Sequence, residues 1–463
     1  MLFTYPLAFI ITINFYIKLV NFKELVFYKI IYWQQIIKMK NIAVKLLFAF
    51  LLIISCQNNE NKSKNLDLGK LSQIDNLMKT AIENNSIPGA VVLVAKDNQI
   101  VYKKAFGVKN PNTGEKYEVN DIFRIASMTK AITSVGVLKL WEKGLLGLDD
   151  PIEKYIPEFK GVGVLDEFNP IDSTFTIKTA QKKITIRNLL THTSGLGYGF
   201  IDKNPSIKAA YFKEKSAFMP NGVLGFSDAN VTIEEAIKKM SKMPLHHQPG
   251  KRFTYAIGID VLGYLIEILS GRTLADFFEK EIFKPLQMND TFFYLPEEKK
   301  SKLVPVLSKN DEIWSIYEDS RYNINYPIEG AKKFYSGGAG LSSTVEDYFK
   351  FLAVFLNNGK SGLKQIISPS TNDLIQKDQL VKITNTPDPG KGHGLISGII
   401  RQKDFLTGAR GSKGTIFWGG YFNTDYFADP NENIIGIIYK QTRLVNDSNS
   451  KKMNQIIYGA LVN

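Results

Sequence analysis

The chain has 463 residues, 44% of them hydrophobic, which is enough for one large or two ordinary domains with a real core and excludes a disordered or fibrous protein. Its 58 Lys+Arg against 45 Asp+Glu give a net charge of +13, but the excess is spread along the chain and forms no basic arm or stripe, so nothing points to a nucleic-acid partner. The single cysteine, Cys56, excludes an intramolecular disulfide and a thiolate zinc cluster.

Residues 1–55 read as a leader. From Met39 the sequence "MKNIAVKLLFAFLLIISC" places Lys40 and Lys45 before or within an apolar stretch that runs from Ile42 to Ile54, and Ser55 precedes Cys56. This resembles a bacterial lipoprotein signal, in which a short apolar segment enters the membrane, a small residue permits cleavage and the thiol of Cys56 receives the lipid. The apolar core of about 13 residues is short of the ~20 that span a bilayer. A signal is read at the N-terminus, so the expectation is that translation starts at Met39 and that residues 1–38 are not translated. The alternative is that Tyr5–Val20 is a membrane anchor, interrupted by Asn14 and Lys18. Either reading tethers the remainder to a membrane, at the bacterial cell envelope and facing the periplasm or the exterior. The polar run "QNNENKSKNLDLGK" makes residues 56–70 a flexible tether, with the folded domain at 71–463.

Apolar spacing predicts a helix from Leu71 to Asn85, and "IPGAVVLVAKDNQIVYKKAFG" predicts two strands joined around Asp97, Asn98 and Gln99. "AITSVGVLKLWEKGLL" predicts a buried apolar helix from Ala131 that ends near Gly144, with Asp149 and Asp150 capping the turn beyond it. From about Asp150 to Met288 helical patterns and loops dominate, and little reads as strand. A helix in "STVEDYFKFLAVFLNNG" opens on Ser343 or Thr344 as N-cap. "GHGLISGIIRQ", "GTIFWGGYFNTDYFADP" and "ENIIGIIYKQT" read as successive strands, and a last helix spans Asn449 to Val462. The fold class is α+β: one antiparallel sheet assembled from both ends of the chain, flanked by helices, with a helical middle lobe.

In "FRIASMTKAITS" Ser127 and Lys130 stand three apart, so on a helix they share one face, about 5 to 6 Å apart at Cβ, and the lysine reaches the serine hydroxyl. The start of a helix offers unpaired N–H groups and a positive dipole end, which favour developing negative charge and an unprotonated lysine. Alone the tetrapeptide reads better as a plain helix start, since the same spacing recurs at Ser361–Lys364 and Ser448–Lys451. Its company changes that. "IPGAVVLV", "FRIASMTKAITS", "LLGLDDPIEKYIPEF", "ITIRNLLTHTSGL", "FTYAIGIDVLGYLIEILSG", "GGAGLSSTVEDYFKF" and "FWGGYFNTDYFADP", in that order from about Leu71 to Val462, resemble the serine β-lactamase-related superfamily, and most closely its class C β-lactamase and family VIII carboxylesterase branch.

The resemblance implies a β-lactamase/penicillin-binding-protein-like fold and a serine hydrolase. In it Ser127 is the acyl-forming nucleophile, Lys130 its proton partner, and Tyr255 a shuttle whose phenol suits the role if a nearby cation such as Lys130 lowers its pKa. No metal or organic cofactor is implied, and the partner is a small acyl substrate. Two departures bear on specificity. Ile257 stands where the second motif of β-lactamases has asparagine, and Trp418-Gly419-Gly420 replaces Lys-Thr-Gly and looks like the Trp-x-Gly of the esterase branch. Both favour esters over β-lactams. The N–H groups of Ser127 and Gly420 are the candidate oxyanion hole, the glycines letting backbone approach a substrate, and Asn423 stands where this branch has glycine. "GSKGT", Gly411 to Thr415, reads as a turn. His192 is expected to hold a loop rather than carry protons, and His246, His247 and His393 form no zinc spacing. The loops Asn204–Asp228 and Asn310–Lys333 are expected to shape the pocket. The rival functions are a D-amino-acid peptidase or β-lactamase acting on peptidoglycan-like substrates, and a non-catalytic sensor or scaffold that is acylated without turnover.

Overall fold

The apolar runs near the two ends of the domain pair with each other. In the computed structural model, which describes Trp33 and residues 65–213, 230–318, 323–383, 391–401 and 411–462, the main sheet has eight strands. In chain order these are β1 (Gly89–Lys96), β2 (Gln99–Asn110), β3 (Glu115–Lys116), β4 (Lys391–His393), β5 (Gly398–Ile400), β6 (Ile416–Gly419), β7 (Thr424–Asp429) and β8 (Ile434–Tyr439). Their spatial order is β4-β5-β6-β7-β8-β1-β2-β3, antiparallel throughout. The junction of the two chain ends is β8 on β1, with Tyr439 opposite Val91. Asp97 and Asn98 close the first hairpin with φ of 50° and 61°, a two-residue turn whose left-handed residues match the twist of the strands.

Both faces of the central strands are covered, which is why β1 and β8 read as unbroken apolar runs. Val91, Leu93, Ile435 and Ile437 face the main core with α2 (Thr129–Glu142), α3 (Gly258–Ser270) and α4 (Val345–Leu356). Ala90, Val92, Val94 and Ile438 face α1 (Gln73–Glu83) and α5 (Asn449–Gly459) through Ile74, Met78, Met453 and Ile457. Almost every residue of α2 is buried, so it has no polar face, and Gly144 with φ 71° follows its end. Thr344 caps α4, accepting from the Asp347 N–H at 3.1 Å.

Several boundaries differ from expectation. Asn65–Leu66 pairs with Leu461–Val462, and a short helix covers Leu68–Leu71, so the last residues of the stretch read as a tether belong to the fold and the final helix stops at Gly459. Two hairpins, Gly163–Phe168 with Phe175–Thr179 and Leu307–Asn310 with Ile313–Ile316, lie where helices and loops were expected. Their strands are largely solvated, so hydrophobic alternation does not mark them. Apart from Trp33, the leader lies outside the described residues, with the signal at 39–55 and the segment Tyr5–Val20, and so do Cys56 and parts of both loops expected to shape the pocket. Among the described residues no helix is long and apolar enough to cross a membrane.

Candidate active site

The short strand Phe123–Arg124 delivers the chain to the site. The buried Arg124 guanidinium donates to the carbonyls of Tyr326 (2.7 Å), Val304 (2.9 Å) and Ile324 (3.0 Å), and Gln441 accepts the Arg124 N–H at 2.7 Å. Ala126 then takes a left-handed φ of 46°, which turns the chain sharply into a 3-10 turn, Ala126–Met128, continuous with α2. An alanine held there costs of order 1 kcal/mol or more and persists because its surroundings over-determine it. The turn lifts one side chain out of the core: from Asp121 to Leu138 only Ser127 is not buried.

Lys130 and Tyr255 meet Ser127 as expected. The Lys130 ammonium donates to Ser127 Oγ at 3.2 Å, and the Tyr255 hydroxyl donates to the same oxygen at 2.8 Å. The lysine has two further acceptors that sequence reasoning missed, the Tyr198 hydroxyl at 3.0 Å and the Gly338 carbonyl at 2.7 Å. Asp260, buried on α3, accepts from Ser336 Oγ (2.6 Å) and the Gly338 N–H (3.0 Å) and so fixes that carbonyl. A Cβ at Gly338 would lie 2.1 Å from Asp260 Oδ2, so only glycine fits. Burial drives Lys130 toward neutrality, but Tyr198, Tyr255 and Asp260 outweigh it and its pKa is raised. The expected unprotonated lysine is therefore corrected: Lys130 is a resting cation. Burial raises the Tyr198 phenol and the Asp260 carboxyl, against the pull of Lys130. Tyr198 is positioned through its backbone, because Asp202 accepts the N–H groups of Tyr198 (2.8 Å) and Gly199 (2.5 Å) and pairs with His246 Nε2 at 2.9 Å.

His192 holds the loop that carries Tyr255. Its carbonyl accepts from the Thr254 N–H (2.8 Å) and its Nδ1 from the Ala256 N–H (3.3 Å), while its ring packs 4.7 Å from Tyr255 and 5.2 Å from His393. Burial, then His393 and Lys130, hold it well below the usual imidazole range, and burial takes His393 to about 4. Both rings are neutral. His247 bonds the Gln248 carbonyl and Thr254 Oγ1, each at 2.9 Å. Among the described residues no group of His, Cys, Asp and Glu is arranged to hold a metal.

The end of β6 forms the opposite wall. Trp418 packs 5.7 Å from the Tyr255 ring and 5.3 Å from His393. Gly420 departs from its expected role, because its N–H is donated to the Thr424 carbonyl at 2.7 Å and is committed to a turn rather than to an oxyanion. Ser127's own N–H stays as the candidate donor. A Cβ on Gly420 would come within 2.2 Å of Thr424 Oγ1 and 2.5 Å of the Ile125 carbonyl, so this glycine lets two pieces of backbone meet rather than a substrate approach. A Cβ on Gly419 would meet the Thr424 carbonyl at 3.0 Å. Asn423 adopts φ 60°, the conformation glycine would have taken, and its side chain donates to Thr442 Oγ1 (2.9 Å) and the Val445 carbonyl (3.0 Å). Ile257 is fully buried and offers nothing to a substrate amide. Gly411–Thr415 is a turn closed by the Thr415 N–H on the Ser412 carbonyl.

The arrangement is a serine whose hydroxyl touches a cation and a phenol, beside a helix start. The family model described as Beta-lactamase matches residues 74–457. Esterase EstB of Burkholderia gladioli is 28% identical over 79% of this chain and 88% of its own. Lovastatin esterase of Penicillium rubens is 30% identical over 79% of this chain and 91% of its own. The solved structure of EstCE1, titled a hydrolase with promiscuous acyltransferase activity, superposes with a TM-score of 0.73 at 23% identity, covering 84% of this chain and 99% of that one, a likeness of fold.

Proposed function

The chain belongs to the Beta-lactamase family and is an esterase-like serine hydrolase, and from that premise we propose that it cleaves small esters through an acyl-enzyme on Ser127. The observation that carries the reading is the double contact on Ser127 Oγ, 3.2 Å from Lys130 Nζ and 2.8 Å from the Tyr255 hydroxyl. Ser127 Oγ attacks the ester carbonyl as its proton passes to the Tyr255 oxygen and the phenol gives up its own toward the leaving group, a relay in which the Lys130 ammonium, 3.2 Å from Ser127 Oγ, stabilises the developing charge. The carbonyl oxygen gains charge near the N–H of Ser127. The alcohol departs with the phenol's proton, and a water attacking the acyl-enzyme reverses the sequence. Buried, apolar Ile257 favours esters over β-lactams, because it supplies no hydrogen bond to an amide. Transfer of the acyl group to an alcohol is the second reading, supported by the acyltransferase activity named for EstCE1.

The test is release of p-nitrophenol from a short-chain ester by purified protein, followed together with intact mass. Ser127→Ala is expected to abolish turnover while leaving the melting transition in place, and full activity in that variant would sink the mechanism. A stable mass increase on Ser127 without turnover would identify the sensor reading instead. We further propose that Cys56 carries a lipid that tethers the enzyme to the cell envelope, a reading supported by the signal-like sequence at 39–55. Cys56→Ser should move the protein from the membrane to the soluble fraction, and unchanged membrane association would refute it.

A further inference from the structure

We propose that Arg443 is the anion-recognition residue of this site, and that its substrates are esters bearing a carboxylate away from the scissile bond. The proposal deepens the esterase reading and rests on it. Arg443 follows β8, and its guanidinium carbon lies 4.0 Å from the centre of the Tyr421 ring. Tyr421 is the residue after Gly420, at the end of the wall that Trp418 begins. Its ring is 6.3 Å from Phe200, whose ring is 5.5 Å from Tyr198, the residue that holds Lys130. The cation is therefore linked to the catalytic lysine through three successive aromatic rings, Tyr421, Phe200 and Tyr198.

Arg443 Nε is buried and has no hydrogen-bond partner, and among the described residues no carboxylate pairs with the guanidinium. The neighbouring buried cation behaves differently: Lys440 is neutralised by Asp447 at 2.8 Å. The side chain as a whole is half-buried, so its outer nitrogens stay within reach of a ligand while the shielded Nε lacks an acceptor, and a carboxylate matches a guanidinium with two-pronged geometry.

The segment is also held rigidly against the catalytic elements. Asn423, three residues after Gly420, ties Thr442 Oγ1 at 2.9 Å and the Val445 carbonyl at 3.0 Å, one bond on each side of Arg443. The Thr442 N–H donates to the Phe422 carbonyl (3.0 Å) and the Arg443 N–H to the Leu307 carbonyl (2.8 Å). Gln441 accepts from Arg124, three residues before Ser127, at 2.7 Å. Arg443 thus has a fixed position relative to the nucleophile, which suits it to measure where a substrate's charge lies.

The experiment compares kcat/KM for matched pairs of esters that differ only in charge. Mono-p-nitrophenyl adipate against its methyl ester places the carboxylate on the acyl half, and 4-acetoxybenzoate against its methyl ester places it on the alcohol half. In one of the two pairs the wild type should prefer the anion by roughly tenfold or more, Arg443→Gln should collapse that ratio, and Arg443→Lys should keep part of it. The same ratio in wild type and Arg443→Gln for both pairs would overturn the proposal. If the wild type cleaves none of these esters, it is the esterase reading that fails. Recognition is then read in Ser127→Ala as the rise in melting temperature given by monomethyl adipate against dimethyl adipate. A larger rise with the anion that disappears on adding Arg443→Gln supports the assignment, and equal rises refute it.

Discussion

Tyr198→Phe removes one oxygen and leaves the ring. The Lys130 ammonium has three acceptors, at 2.7, 3.0 and 3.2 Å, and the one lost is the 3.0 Å bond to the phenol. The phenylalanine ring keeps its packing against Phe200 at 5.5 Å and Tyr255 at 5.6 Å, so the fold should survive. A hydrogen bond to a charged group contributes about 1.5–3 kcal/mol, which corresponds to a fall of roughly 10- to 100-fold in kcat/KM if the whole loss is felt in the transition state. Tyr198 is also among the groups that raise the Lys130 pKa, so its loss should move the basic limb of the pH–rate profile to lower pH. The assay is kcat/KM for a p-nitrophenyl ester across pH, with a thermal melt as the folding control. A variant within about twofold of wild type, with an unmoved basic limb, would refute the reasoning that the second phenol sets the charge and position of Lys130.

Gly420→Ala should cost about 1–3 kcal/mol of stability and most of the activity, because the new Cβ meets the Ile125 backbone just before the Ser127 turn. Gly419→Ala meets only a 3.0 Å contact and should be milder, and equal melts and rates for the two variants would contradict the close-approach argument. For His393, burial takes the imidazole from 6.5 to about 4 in the folded protein. The unfolded chain then binds a proton below about 6.5 that the folded chain refuses, so the stability this residue contributes is complete above that pH and is lost as the pH falls toward 4. The loss amounts to about 3 kcal/mol, and denaturant unfolding at about pH 7 and about pH 4.5 should show it in wild type and less of it in His393→Gln.

Local chemistry was legible in the sequence. The apolar runs of β1 and β8, the Asp97–Asn98 turn and the buried α2 each carry their signal within a few neighbouring residues, and the three-residue spacing of Ser127 and Lys130 puts them within reach on any helical turn. Tyr255 needed the resemblance, since it reaches Ser127 across 128 residues of sequence. The two hairpins were not legible, because most of their residues stay in contact with water and the few buried ones, such as Leu307, make no alternating pattern.

The sequence by itself determined that a serine, a lysine and a two-sided apolar sheet exist in this chain. Only the tertiary structure decided what surrounds them. The Tyr198 hydroxyl and the Gly338 carbonyl reach Lys130 from 68 and 208 residues away and hold its ammonium in place, while a turn at Thr424 takes the Gly420 N–H from the oxyanion role. Pairings over such distances are set by how buried surfaces and unsatisfied donors are packed together, and periodicity along the chain carries no record of them.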